Sequence, residues 1–356
     1  MDRLMKYGSK KLEQYQSGGF QEVLSGEKKT VTLGLIGTGR HARMNIFPTL
    51  PFLPVRIRAV CAAHKENAEY YGTKYGAGAF YSSSAEMMDK ETLDAVICCV
   101  NAEVHAQVIA KALNKGIHVF CEKPAAQTTN DLKKLCDSDS ENLVQVGLQK
   151  RFVPNYQLLK HAINEKKYGD LHTLQLEFGV GAYNGPAIEF MLEVGIHFID
   201  LLRFLVPDVT IKNVMRQTNQ KGKYNYLVSF SGDDSLIGSL LLSSNFDWQN
   251  GHERILANFE KINVVIENLV NISTTENSRT LFSIPLEKVT KKRIVHEMWH
   301  PNYISGEIQN SSLQQSGFLP ELQHFVDCVL GRAKNQISNL ENSVKTHNLI
   351  DEILRS

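Results

Sequence analysis

Glu122 and Lys123 close a short β-branched and aromatic run, Ile117 to Cys121, and Pro124 follows them directly. A buried parallel strand delivers polar side chains to the carboxyl edge of its sheet in this way. A lysine ammonium on a fixed strand end can hold a substrate hydroxyl, while the proline ends the ladder and restricts the residue before it. Alone, the same triplet reads equally well as a strand terminus with a solvated lysine. A second chemical pair is Glu193 and His197, in a run from Ala187 to Leu205 so dense in apolar residues that a helix there is buried on most faces. Their i, i+4 spacing puts both on one face, with Asp200 three residues further along and able to orient the imidazole. Polar groups inside such a helix need partners or a cavity. A core histidine held by Asp200 is the plain alternative; an imidazole acting as general base is the chemical one, and Lys123 in the same chain favours it.

A nucleotide fingerprint lies upstream. VTLGLIG, Val31 to Gly37, is a compact apolar strand running into GTGRHA. Gly37 permits the tight turn, Gly39 lets backbone approach a pyrophosphate, and Ala42 in the third position still allows close helix packing. Phosphate would rest on the helix N-terminus, which makes Gly37, Thr38, Gly39, Arg40 and His41 the candidate cofactor loop. The helical segment is expected to stop in PTLPFLP, at Pro48, Pro51 and Pro54. The second strand, Arg56 to Ala62, ends in CAAHK, with no acid to accept hydrogen bonds from a free ribose. Ala62 stands at that strand end and His64, Lys65 or Arg40 can pair a 2'-phosphate, so NAD(P) is expected, with NADP modestly preferred.

The elements that position these groups alternate. Helices are expected over Lys65 to Tyr75, Glu103 to Lys115 and Thr129 to Ser138, and strands over Ala79 to Tyr81, Asp94 to Val100 and Leu143 to Leu148. This is a doubly wound parallel sheet, a Rossmann arrangement. Beyond Leu205 the pattern changes to strand-length runs between Gly, Asn, Asp and Ser turns: Val209 to Gln217, Tyr224 to Phe230, Leu236 to Ser243, Ile255 to Phe259 and Asn263 to Glu267. They predict one antiparallel sheet in a C-terminal α+β domain. Glu297 to Ser316, with Trp299, His300 and Tyr303, has little periodicity and reads as a loop. FLPELQHFVDCVLG and the helix after Ser338 are amphipathic and are expected to pack back on the first domain. The division is an N-terminal extension over 1–30, a dinucleotide domain over 31–150 and a substrate and oligomerisation domain over 151–356.

With 356 residues and 42% hydrophobic content, the chain can bury two ordinary cores. A formal charge of +1 without long basic runs gives no electrostatic reason for a nucleic-acid or membrane partner. The six cysteines, Cys61, Cys98, Cys99, Cys121, Cys136 and Cys328, show no CxxC pair and no ligand spacing, so no metal is expected and a reducing cytoplasmic compartment fits. The first thirty residues lack the apolar core of a secretory signal.

GTGRHA, the Asn101 to His105 turn after AVICCV, GIHVFCEKPAA, QVGLQKRFVPNY and EVGIHFIDLLRFL come in the order found in the Gfo/Idh/MocA oxidoreductases, which this chain resembles over nearly everything after residue 30. The resemblance implies a Rossmann domain followed by a domain on an open, largely antiparallel sheet, and hydride transfer between nicotinamide and a secondary hydroxyl or ketone of a sugar, sugar phosphate or polyol. It places Lys123 and His197 at the reacting oxygen, Glu193 on a neighbouring hydroxyl, and Glu122, Asn101, His105 and Gln149 on the cofactor side. Glu193 stands where an aspartate is common, and Val100 and Asn101 where a Thr-Pro pair is common. Two other functions occur on this scaffold, redox-neutral glycoside cleavage with bound NAD and cofactor-sensing regulation without catalysis. The apolar run LIGSLLLSSNF predicts a homodimer or homotetramer through the C-terminal sheet.

Overall fold

The computed structural model describes residues 29–141, 143–181, 183, 185–219, 221–233, 236–247, 251–277, 280–281, 284–285, 296–301 and 311–356. Two compact units account for them: 29–152 with Gly317–Asn348, and Val153–Ser316 with Leu349–Ser356. The 1–30 extension, apart from its last two residues, and Tyr303 lie outside the described residues.

The first unit is built on six strands: β1 Val31–Ile36, β2 Val55–Cys61, β3 Ala79–Tyr81, β4 Ala95–Cys98, β5 His118–Glu122 and β6 Val144–Gly147. Their order is β3-β2-β1-β4-β5-β6 and every neighbouring pair is parallel. Strand order reverses between β1 and β4, so the crevice for a ligand opens at the carboxyl ends of those two strands. The runs are mostly apolar because helices cover both faces of such a sheet; β4 and β6 are buried at every residue, Gln145 of β6 included. Helices Lys65–Lys74, Ser84–Lys90, Ala102–Leu113 and Thr129–Ser138 connect the strands. Ser83 and Thr128 cap two of them by accepting from the backbone N–H of Glu86 and Asp131. After the glycine turn the helix does not stop at Pro48. It widens into a π-helical turn, Ala42–Ile46, and tightens into a 3-10 stretch, Phe47–Phe52, that takes in Pro48 and Pro51. The tighter hydrogen-bond pattern leaves prolines fewer amide partners to break.

Gly317–Asn348 completes this unit along β6. Val146 donates its amide to the Ser338 carbonyl at 2.7 Å, and Phe325, on helix Phe318–Val329, meets Phe120 edge-on at 5.8 Å. Helix Leu340–Arg355 follows, with Leu340 in the core of the first unit and Leu349, Ile350 and Ile353 in that of the second.

The second unit carries an eight-stranded sheet. Its strands are β7 Leu171–Gly179, β8 Thr210–Thr218, β9 Tyr224–Ser231, β10 Ile237–Ser243, β11 His252–Phe259, β12 Ile262–Glu267 and β13 Asn271–Glu276, with β16 His296–Trp299 at the edge. A two-stranded hairpin, β14 Thr280–Leu281 and β15 Ile284–Pro285, precedes β16. The order is β16-β13-β12-β11-β7-β10-β9-β8, antiparallel except for the parallel β7–β10 pair. Strand β7, absent from the sequence expectation, is central. Trp299, expected in a loop, stands in β16 and packs on the core. Alternate residues such as Leu176, Leu240, Leu242 and Ile255 turn inward, against a core shared with Phe198 and Leu202 of helix Ile196–Leu205. The opposite face exposes Met215, Leu227, Ile237 and Met298.

One buried group of the first unit sets a pH dependence. His324 donates through Nδ1 to Gln145 Oε1 at 2.8 Å, and Gln145 is held in that orientation by its own amide bond to the Glu321 carbonyl. Burial pushes the His324 imidazole down to about 4, against roughly 6.5 in an unfolded chain. Between these two values the unfolded state binds a proton that the native state refuses, so stability falls as pH falls through that window. The total loss is on the order of 3 kcal/mol. Urea unfolding from pH 7 down to pH 4.5 is expected to give a shallower stability loss in His324→Leu than in the wild type. Parallel profiles would contradict the assignment.

Candidate functional site

Backbone geometry at the end of β1 dictates the first part of the site. Gly37 has φ +99° and donates its amide to the Cys61 carbonyl at 2.8 Å, while the Cys99 amide bonds the Ile36 carbonyl at 2.8 Å. A Cβ on Gly37 would lie 2.1 Å from the Cys99 carbonyl oxygen. The turn is thus folded tightly onto the end of β4, and only glycine fits. At Gly39 a Cβ would meet nothing within 4 Å. The chain itself leaves space there, as a dinucleotide-binding turn must. Ala42 is fully buried and closes the helix onto the strand.

The carboxyl end of β5 meets this turn. His41 donates through Nε2 to Glu122 Oε1 at 3.0 Å and accepts at Nδ1 from the Asn45 side-chain amide at 3.1 Å, two partners that fix the tautomer. Phe318 packs edge-on against the His41 ring at 5.6 Å. The other carboxylate oxygen of Glu122 accepts from the Lys123 amide at 3.2 Å. The carboxyl group lies over Gly147, its register partner on β6, where a Cβ would come within 3.1 Å of it. Glu122 is therefore buried but aimed by three elements, and Lys123 follows from a backbone that Glu122 itself tethers. His105, on the first turn of helix Ala102–Leu113, donates through Nδ1 to the Pro124 carbonyl at 2.8 Å and is 1% exposed. It braces the turn after Lys123 from beneath. Gln149 is buried, and its side-chain oxygen has no hydrogen-bond partner among the described residues. An orphaned buried acceptor of this kind fits a dinucleotide that brings its own donors.

The adenosine-side residues other than Ala62 are exposed. Ala62 is buried just past β2, with its amide on the Tyr81 carbonyl at 3.1 Å. His64 occupies the N-cap position of helix Lys65–Lys74 with no side-chain cap bond, and His64, Lys65 and Arg40 are all exposed. Arg40 rests its Nε on Met44 Sδ at 3.4 Å. Asn101 is an exposed N-cap for Ala102–Leu113. Sequence reading passed over Arg43, which bonds the Gly39 carbonyl at 3.3 Å and the Tyr71 hydroxyl at 2.6 Å, tying the glycine turn to the helix after β2. Its spacing of four from Gly39 was the available signal.

In the second unit Glu193 and His197 lie on a helical run of three parts, Ala187–Phe190, the π-helical turn Met191–Gly195 and Ile196–Leu205. The sequence expectation of two polar groups inside a buried helix is corrected for Glu193, which is exposed; His197 is half-buried and Asp200 is buried. Phe178 of β7 meets the His197 ring edge-on at 6.3 Å and stacks on Phe198 at 4.6 Å. Near Glu193, Tyr183 donates to Glu189 Oε2 at 3.1 Å, and burial followed by that carboxylate raises the Tyr183 hydroxyl well above the ordinary phenol range. It remains a neutral donor. A π-turn at this point offsets Glu193 from the row of inward side chains, a distortion that recurs at functional sites.

Residues 31–149 match the family model described as "Oxidoreductase family, NAD-binding Rossmann fold". Among curated relatives, trans-1,2-dihydrobenzene-1,2-diol dehydrogenase of Xenopus tropicalis is 21% identical over 334 residues, covering 86% of this chain and 91% of its own. Inositol 2-dehydrogenase of Salmonella typhimurium is 28% identical over 186 residues, 50% of this chain and 54% of its own. Among solved structures, a dehydrogenase from Chromobacterium violaceum superposes with a TM-score of 0.80 at 21% identity, over 92% of this chain and 94% of that one. No helix among the described residues is long and apolar enough to cross a membrane.

The two glycines should separate on substitution. Gly37→Ala is expected to lower stability by at least about 2 kcal/mol, through the forced φ and the clash with Cys99. Gly39→Ala should leave stability within about 1 kcal/mol yet weaken dinucleotide binding. Thermal melts and a calorimetric titration with NADH and NADPH read the two effects; equal behaviour of the variants would refute the division of labour.

Proposed function

We infer, from a chain that belongs through residues 31–149 to the Gfo/Idh/MocA oxidoreductases, that the protein moves hydride between NAD(P) and a secondary hydroxyl or ketone of a sugar, sugar phosphate or polyol. The observation that carries this reading is the coupling of the glycine turn to the EKP strand end through the His41–Glu122 bond. Bound nicotinamide supplies the hydride acceptor or donor. Gly37, Thr38, Gly39, Arg40 and His41 would hold its pyrophosphate, and Glu122, Asn101 and Gln149 its nicotinamide side, with His105 acting through the Pro124 carbonyl.

Each catalytic role follows from the residue's own chemistry. His197, half-buried against Phe178, is a general base for the hydroxyl proton in the oxidative direction. Lys123 hydrogen-bonds the same oxygen and stabilises its developing negative charge. Glu193, exposed on its helix, accepts from an adjacent hydroxyl. A substrate with neighbouring hydroxyls suits that division, and the two curated relatives above act, by their names, on a vicinal diol and on a polyol. The exposed apolar side chains Met215, Leu227, Ile237 and Met298 support assembly as a homodimer or homotetramer through the outer sheet face.

A screen of polyols, sugars and sugar phosphates followed by reduced-nicotinamide absorbance tests the reaction class. On the substrate found, Lys123→Ala and His197→Ala should each lose about a hundredfold or more in kcat while the cofactor still binds. Near-normal turnover in both variants would overturn the roles. NADP is expected to bind modestly tighter than NAD, because the strand-two end lacks an acid. Ala62→Asp should shift the ratio of dissociation constants toward NAD; a wild type that already binds NAD at least about tenfold tighter, 1.4 kcal/mol, contradicts the reading.

A further inference from the structure

The sequence offers no metal-ligand spacing, yet the sheet assembles one. Cys98 and Cys121 are register partners on the adjacent parallel strands β4 and β5, so their side chains leave the same face. His105 comes down onto that face from helix Ala102–Leu113. Each of the three offers a ligand atom, and these atoms lie within 4.8 Å of one another, with all three residues buried. We propose that Cys98, Cys121 and His105 form a binding site for a thiophilic divalent d10 cation of the zinc class, set in the core beneath the Lys123 turn.

The tautomer is the strongest support. His105 donates Nδ1–H to the Pro124 carbonyl at 2.8 Å, which leaves the Nε2 lone pair as the coordinating atom. Metal-ligating histidines are oriented in just this manner, by a backbone carbonyl on the far nitrogen. Nε2 is buried and has no hydrogen-bond partner among the described residues. An unsatisfied buried acceptor carries a desolvation penalty, which a bound cation would relieve. Charge also balances. Two thiolates, a neutral imidazole and a dication sum to zero, so the loaded site adds no net charge to an apolar interior. Binding releases the two thiol protons to solvent, forms two metal–sulfur bonds and one metal–nitrogen bond, and transfers no electrons. A tetrahedral ion with bonds of about 2.0–2.3 Å spaces its ligand atoms about 3.5–3.8 Å apart, so the side chains need to close by about an ångström at most. Thiolate ligands favour zinc, cadmium and cobalt over magnesium or calcium. Because His105 also holds the Pro124 carbonyl, occupancy would stiffen the turn that carries Lys123.

The full-length chain, unfolded and refolded under reducing conditions with Co2+ and then dialysed, is expected to retain about one equivalent of metal with a thiolate-to-cobalt charge-transfer band. X-ray absorption of the zinc-loaded chain should report two sulfur ligands and one imidazole nitrogen. Cys98→Ala and Cys121→Ala should each lose the band, and His105→Leu should weaken retention at least tenfold. Retention of less than a tenth of an equivalent by the wild type, or a band that survives both alanine variants, would overturn the proposal. The wild-type stoichiometry and ligand count decide the matter even where a variant fails to fold.

Discussion

The contact on which the site depends is the approach of Gly37 to the Cys99 carbonyl. A side chain there would overlap the carbonyl oxygen, so the chain leaves β1 in a left-handed turn pressed against the end of β4. That closeness brings His41 within hydrogen-bonding distance of Glu122 on β5, one strand further along the sheet. From Glu122 the constraint passes to the Lys123 amide and, through His105, to the Pro124 carbonyl. A carboxylate, two imidazoles and a glycine turn are thereby fixed by backbone register, before any ligand is considered.

Three buried polar groups lie where function is proposed. His105, Glu122 and Gln149 lie at or beneath the carboxyl edge of a sheet whose strands are mostly apolar. Each forfeits hydration, which is tolerable when a partner waits in the chain or arrives with a ligand. Glu122 has its partners in the chain. Gln149 Oε1 and His105 Nε2 do not among the described residues; a dinucleotide and a cation are the ligands proposed to meet them. Burial also raises the nearby Cys61 thiol, to about 11, which keeps it protonated and unreactive.

Much of this was legible in the residue order because strand ends are punctuated. VTLGLIG into GTGRHA, and IHVFC into EKP, announce where β1 and β5 stop and what they deliver. The parallel sheet, its helices and the shift to an antiparallel sheet after Leu205 follow from the same signals. Other features had no local signature. Strand β7 interleaves His172, Thr173, Gln175 and Glu177 with its leucines because one face of the sheet is open, and that diluted its apolar character. Trp299 sits in a four-residue edge strand, too short for periodicity to register. The π-turns at Ala42–Ile46 and Met191–Gly195 are set by tertiary packing, which the sequence does not spell out. Cys98, His105 and Cys121 come from three elements, and only strand register joins them.

The central claim is that a nicotinamide dinucleotide binds across the carboxyl ends of β1, β4 and β5. Hydrogen exchange of the full-length chain with and without NADPH, and again with NADH, locates the ligand without knowledge of the substrate. The account predicts slowed exchange in Gly37 to Ile46 and in Cys121 to Ala126, with little change in strands β8 and β9. Unchanged exchange in both segments at saturating dinucleotide, or protection confined to the eight-stranded sheet, would contradict it.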